Sequence, residues 1–219
     1  MHNTDETLVQ HERRTLADDL ISYGPDAPTI LEGWDASDLL EHLLVREGRQ
    51  DLMVGPKLPI APLARAAERS LEKLRETPWS EQVARFRAGP PRLSPMRPLN
   101  SVANTVEYFV HHEDLRRARP GWQARALSPA HESELWSRLR TMARMLVRAE
   151  VDVTLVSTHG GIRIPAKTRR GADATGAVLV HGTPGELLLW AYGRDQVTDL
   201  EVEGDPQSLL ALRRSRRGF

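Results

Sequence analysis

The spacing of apolar residues changes once along this chain, near residue 150, and that change limits the fold to an α+β class with two parts. Before it, apolar residues recur every three to four positions, the period of an amphipathic helix. After it they alternate: Val151, Val153 and Leu155 are interleaved with Asp152 and Thr154, as in a half-buried strand. Glycine and proline punctuate the helical part. Gly24-Pro25 ends a first helix begun near Thr4, and Gly33-Trp34-Asp35 opens a second, with Asp35 placed to cap its free N–H groups and Asp38 in its first turn. Leu39, Leu40, Leu43 and Leu44 mark the buried stripe of that helix, and Gly55-Pro56 closes the region.

Further helices are expected near 62–76, 79–88, 100–119 and 128–149. The fourth begins with Ser128 as cap and Pro129 at the first helical position. Val102, Val106, Phe109 and Val110 form the apolar side of the third. Between them Gly89-Pro90-Pro91, Pro95 and Pro98 predict an extended connector. In the strand-like part, 151–155, 162–164, 177–180 and 200–202 read as strands. Thr183-Pro184-Gly185-Glu186 reads as a capping box opening a helix that stops at Gly193, and 206–213 is a last helix. The expected domains are therefore residues 1–149, a helical bundle, and 150–219, a small α+β domain.

Composition removes several function classes. Thirty basic and thirty acidic residues cancel, so no global charge draws the chain to nucleic acid or an anionic membrane. No apolar run approaches the roughly 20 residues of a membrane span, and the polar start lacks a secretory h-region, so a cytoplasmic protein is expected. The absence of cysteine excludes disulfides, thiolate metal ligands and a protein thiol nucleophile. Only Lys57, Lys73 and Lys167 are lysine. The remaining basic residues are arginine, a skew associated with GC-rich genomes.

What chemistry remains centres on Glu107 and His111, four apart on one expected helix and so on one face. His42 lies on another helix, beside Leu39 and Leu43, and faces the interior or its edge. Two histidines and one carboxylate are a common catalytic zinc set, with the fourth position open. Asp114, three beyond His111, can accept the other imidazole N–H. Glu-x-x-x-His also recurs by chance in helices. On spacing alone the plainer reading is preferred to the metal: Glu107 in an ion pair with an arginine, and His42 as a hydrogen-bonded core histidine.

The stretch Leu31-Glu32-Gly33-Trp34, with Leu39 and His42 after it, resembles the second-helix start of mycothiol-dependent maleylpyruvate isomerases and their DinB-like relatives. The stretch Glu107-Tyr108-Phe109-Val110-His111-His112-Glu113-Asp114-Leu115 resembles that family's second metal motif, and Val180 through Arg194 resembles its C-terminal helix ending in Gly-Arg. The resemblance implies a DinB-type bundle followed by a smaller α+β domain, with His42, Glu107 and His111 as ligands of a divalent metal, zinc being favoured. It also implies that Arg194 contacts substrate and that mycothiol is a cosubstrate. It is closest to an actinobacterial branch described only as metal-binding. Residues 50–100 show no match, and Arg46-Glu47-Gly48-Arg49 makes the end of the metal helix more charged than in the isomerase.

A thiol-dependent isomerase or S-transferase acting on a small electrophile is the expectation, with Arg46 or Arg49 as further carboxylate holders. A non-catalytic metal-binding or regulatory protein on the same fold is the alternative. A metal-activated hydrolase is a third reading, weakened because the motif offers no free general base. The other histidines are expected to be structural: His112 on the surface or in a second layer, His159 in a strand-to-strand turn, His181 at a strand end. Trp34 is expected to pack at the helix start or wall the pocket. The tail Arg213–Arg217 is expected to be a solvated, disordered end.

Overall fold

A computed structural model describes residues 6–48, 61–89, 97–167 and 176–218. Arg49, Gly55-Pro56 and the connector residues 90–96 lie outside them. The chain divides into two compact units, one reaching to Trp122 and one running from Gln123, together an α+β fold.

The first unit is helical: α1 (Leu8–Tyr23), α2 (Ala36–Gly48), α3 (Ala61–Arg75), α4 (Trp79–Ala88) and α5 (Arg97–Arg116). α1 starts at a capping box, Thr7 with Gln10, which satisfies N–H groups that no helical carbonyl can reach. α1 packs on α4 and α5, and α2 on the same pair. The expected α2 stripe is the centre of the core: Leu39, Leu40, Leu43 and Leu44 are all buried, against Leu16 and Leu20 of α1, Phe86 of α4, and Tyr108 and Leu115 of α5. Burying such a side chain contributes about 1.5–3 kcal/mol. α3 adds Ala67 against Val45 of α2. α5 begins at Arg97, so Pro98 stands inside its first turn rather than in an extended connector. The physical reason is that a first-turn N–H has no helical acceptor, and a residue without one loses nothing there.

Polar groups are buried with this core. Arg13 of α1 donates to both oxygens of Glu47 at 2.9 Å, to the Phe86 carbonyl at 2.7 Å and to the Tyr108 hydroxyl at 2.6 Å. That one guanidinium links α1, α2, α4 and α5.

The second unit contains α6 (Pro129–Leu146), β1 (Val147–Arg148), β2 (Asp152–Ser157), β3 (Gly160–Ile164), β4 (Ala177–His181), α7 (Pro184–Ala191), a 3₁₀ turn at Asp195–Val197, β5 (Glu201–Gly204), α8 (Pro206–Arg213) and β6 (Arg216–Arg217). One sheet has the order β3-β2-β4-β5, with β2 and β4 parallel and the outer pairs antiparallel. Val153, Leu155, Val178 and Val180 point inward from the central strands. α7 is buried throughout and apolar except for Glu186, and α6 packs along it. The break between compact units thus falls before α6, whereas the change of sequence period falls after it: α6 is helical but its Leu135, Leu139 and Leu146 are buried with the second unit's elements. Thr183 accepts from the Glu186 N–H, one half of the expected capping box, and the Glu186 carboxylate accepts from the Asp199 N–H at 2.9 Å. Gly193 ends the helical segment at φ +83°, where any Cβ would also meet the Arg217 carbonyl at 3.4 Å.

The basic tail is not a disordered end. Arg216 and Arg217 pair antiparallel with Arg148 and Val147. The Arg217 guanidinium forms an ion pair with Asp195 and lies over the Trp190 ring at 4.7 Å. An aromatic face and a carboxylate give this cation partners that a charge count along the chain cannot reveal.

Candidate metal centre

The first unit brings His42, Glu107 and His111 together. α2 carries His42, and its start is fixed by Asp35, whose Oδ1 accepts the N–H groups of Ser37 and Asp38 while Asp38 accepts the Asp35 N–H in return. Residues before α2 are tied to α5, since the Ile30 N–H donates to the Asp114 carbonyl at 2.9 Å. Thr29 then holds the Trp34 carbonyl through its hydroxyl at 2.9 Å. α5 supplies Glu107 and His111 from one face, as their spacing predicts.

Glu107 Oε2 faces both histidines, 3.3 Å from His111 Nε2 and 3.9 Å from His42 Nε2. One potential ligand atom from each of the three residues falls within 4.8 Å of the others. An ion about 2.1 Å from each donor needs donors about 3.4 Å apart, so side-chain shifts of about 1.4 Å in total close the set. The spread exceeds the about 4 Å expected from bond lengths. Of the two histidine–glutamate distances His42's is the longer, and its side chain, reaching across from the other helix, is the more exposed.

The donor chemistry fits a divalent cation. His111 Nδ1 lies 3.0 Å from Asp114 Oδ2, and Asp114 is fully buried. A carboxylate there accepts a hydrogen bond from Nδ1–H and turns Nε2 toward Glu107 and His42, the usual arrangement behind a metal-ligating histidine. Burial would raise the Glu107 pKa, but hydrogen bonds from His111 and His42 and the charge of Arg46 hold it well below the usual carboxylate range. Burial would lower the His111 pKa, but Asp114 and Glu107 outweigh it and raise it.

Two neighbours complete the site. Trp34 lies parallel to the His111 ring at 11° and 6.5 Å between centroids, and 5.4 Å from His42, an apolar wall beside both imidazoles. It packs against the core as well, so both sequence expectations for it meet in one residue. Arg46, one turn beyond His42, reaches Glu107 Oε1 at 3.4 Å. This contact matches the arginine ion pair of the plainer reading, and its nearest approach is to Oε1, while the histidines approach Oε2 most closely.

His112 is structural, as expected, but it is not at the surface. It is 2% exposed and points away from the triad, with Nδ1 2.9 Å from Glu12 Oε2 and Nε2 2.9 Å from Asp19 Oδ2. Two carboxylates from α1 let a polar ring sit in the core, and no local sequence signal announces partners about a hundred positions away. Arg194 lies in the second unit, where its Nη1 donates to the Tyr192 carbonyl at 2.7 Å.

No family model matches the sequence, and no curated protein matches it. Two solved structures match the chain, and the first of them shares its fold. The mycothiol-dependent maleylpyruvate isomerase in a histidine-to-alanine variant matches with a TM-score of 0.50 at 15% identity, over 90% of each chain. The same isomerase without that substitution matches with a TM-score of 0.48 at 16% identity, again over 90% of each chain.

Proposed function

We propose that this chain binds one divalent metal, zinc in the first place, through His42, Glu107 and His111, and uses it to activate a small-molecule thiol as a mycothiol-dependent isomerase or S-transferase. The observation that carries the reading is the convergence of two imidazoles and one carboxylate, with Asp114 orienting one of the rings. The fold shared with a mycothiol-dependent isomerase supports the choice of thiol.

A metal held by three protein ligands lowers the pKa of a thiol that enters its open position and so supplies thiolate at neutral pH. The chain's own residues do the rest. His42 and His111 offer neutral nitrogen donors, and Glu107 offsets one unit of the cation's charge. Asp114 keeps His111 in the tautomer with Nε2 free. Trp34 excludes water from one side of the imidazoles. With no cysteine in the chain, the sulfur comes from outside. Arg194 is assigned to the substrate carboxylate on the sequence resemblance alone.

Calorimetry of metal-loaded protein with mycothiol, in two buffers of different ionisation enthalpy, tests this. The expected result is binding with proton release that disappears on metal removal and in His42→Ala. Equal binding by metal-free protein refutes thiol activation. Metal uptake with no thiol binding leaves a metal-binding protein without this chemistry.

A further inference from the structure

The two oxygens of Glu107 do different things. Oε2 faces the histidines and Oε1 faces Arg46 at 3.4 Å. Arg46 sits at i+4 from His42, so helix geometry puts both on one face of α2, and its side chain is about three-quarters buried. Among the described residues Glu107 is its ion-pair partner, and its Nε is buried without a hydrogen-bond acceptor. A guanidinium in that position has a geometric consequence. A carboxylate left alone beside a cation can chelate through both oxygens, whereas one whose second oxygen is engaged by an arginine offers one.

We propose that Arg46 is a positioning residue that holds Glu107 to a single donor oxygen and thereby keeps a coordination position free for an anionic ligand. This rests on reading the triad as a metal site. Arg46 acts in two ways. Sequestering Oε1 limits the protein to three donors. Its positive charge beside the centre disfavours the metal and favours an incoming anion such as a thiolate. The two effects share a sign: Arg46 weakens the protein's own grip on the cation and strengthens that of an exogenous anion. A residue with a purely structural role would do neither.

The test uses full-length protein loaded with cobalt(II), with Arg46→Met and Arg46→Lys beside wild type and circular dichroism confirming the fold. Cobalt affinity is measured by competition with a chelator, coordination number by the intensity of the visible absorption, and anion binding by titration with azide. Arg46→Met should bind cobalt roughly tenfold more tightly, the scale on which changes beside metal ligands act. Its visible bands should weaken as the coordination number rises, and azide should bind roughly tenfold more weakly. Arg46→Lys, which keeps the charge but not the planar fork, should fall between the two. If Arg46→Met binds cobalt no more tightly and azide no more weakly than wild type, Arg46 does not have this role and the metal reading stands. Wild-type protein that takes up no cobalt overturns the metal reading and this assignment with it.

Discussion

His111 and His112 are neighbours in sequence and have opposite duties. One ring faces Glu107 and His42; the other is clamped by Glu12 and Asp19. Replacing His111 with Ala should abolish stoichiometric metal and leave a folded protein, as should the Glu107→Ala, His111→Ala double variant. Replacing His112 with Ala should leave metal binding intact and lower stability by about 3 kcal/mol, because Glu12 is fully buried and loses that partner. Metal analysis beside urea unfolding separates the two, and tight metal in the double variant refutes the ligand assignment. The pH dependence follows from the same residues. Metal must displace a proton from His111, whose pKa is raised above its ordinary 6.5, so affinity should climb with pH through and beyond that value. In metal-free protein the raised His111 pKa contributes stability below 6.5 that is lost as pH rises through the folded value. The depressed Glu107 pKa contributes stability above 4.5 that is lost as pH falls through its folded value. For these two groups stability is therefore greatest between 4.5 and 6.5. Urea titrations across pH 4–9 that show no fall on the alkaline side in metal-free protein would contradict the His111 environment.

At the scale of elements, the site is two helices held in register by what lies at their ends. Asp35 caps α2 and so sets where His42 points. Asp35→Ala should cost about 1 kcal/mol in unfolding free energy and should also weaken metal binding, since the ligand rides on the capped helix. A loss of about 1 kcal/mol with unchanged metal affinity would show that packing alone positions α2. That packing is Leu39, Leu40 and Leu43. Leu40→Ala should cost about 2–5 kcal/mol by leaving a cavity beside α1 and α4. These features were legible: a helical stripe, a cap and an i,i+4 pair are local patterns. The start of α5 is less legible, because four prolines read as a connector while the last, Pro98, is tolerated in the first helical turn.

At the scale of the whole molecule, the division into units decides what can fold alone. α6 buries Leu135, Leu139 and Leu146 and packs along α7. A fragment beginning at residue 123 should therefore melt cooperatively, and one beginning at residue 150 should not, because α7 would lose the helix beside it. Cooperative melting of the shorter fragment would return the boundary to the change of sequence period. Among the described residues no helix is long and apolar enough to cross a membrane.

The sequence by itself determined the class of fold, most helix positions and the placing of Glu107 and His111 on one helix face; it was the resemblance to a known family that made His42 the third ligand. Periodicity, caps and fixed spacings are written within a few neighbouring positions, and helix geometry converts them directly into faces. Only the tertiary structure decided which carboxylate oxygen faces the histidines, that Arg46 takes the other, that His112 is buried between Glu12 and Asp19, and that Arg217 finds Trp190 and Asp195. Each of these depends on partners brought from another helix or strand. Whether a charged side chain is solvated or paired is set by the distance and burial of such partners, which no spacing along the chain encodes.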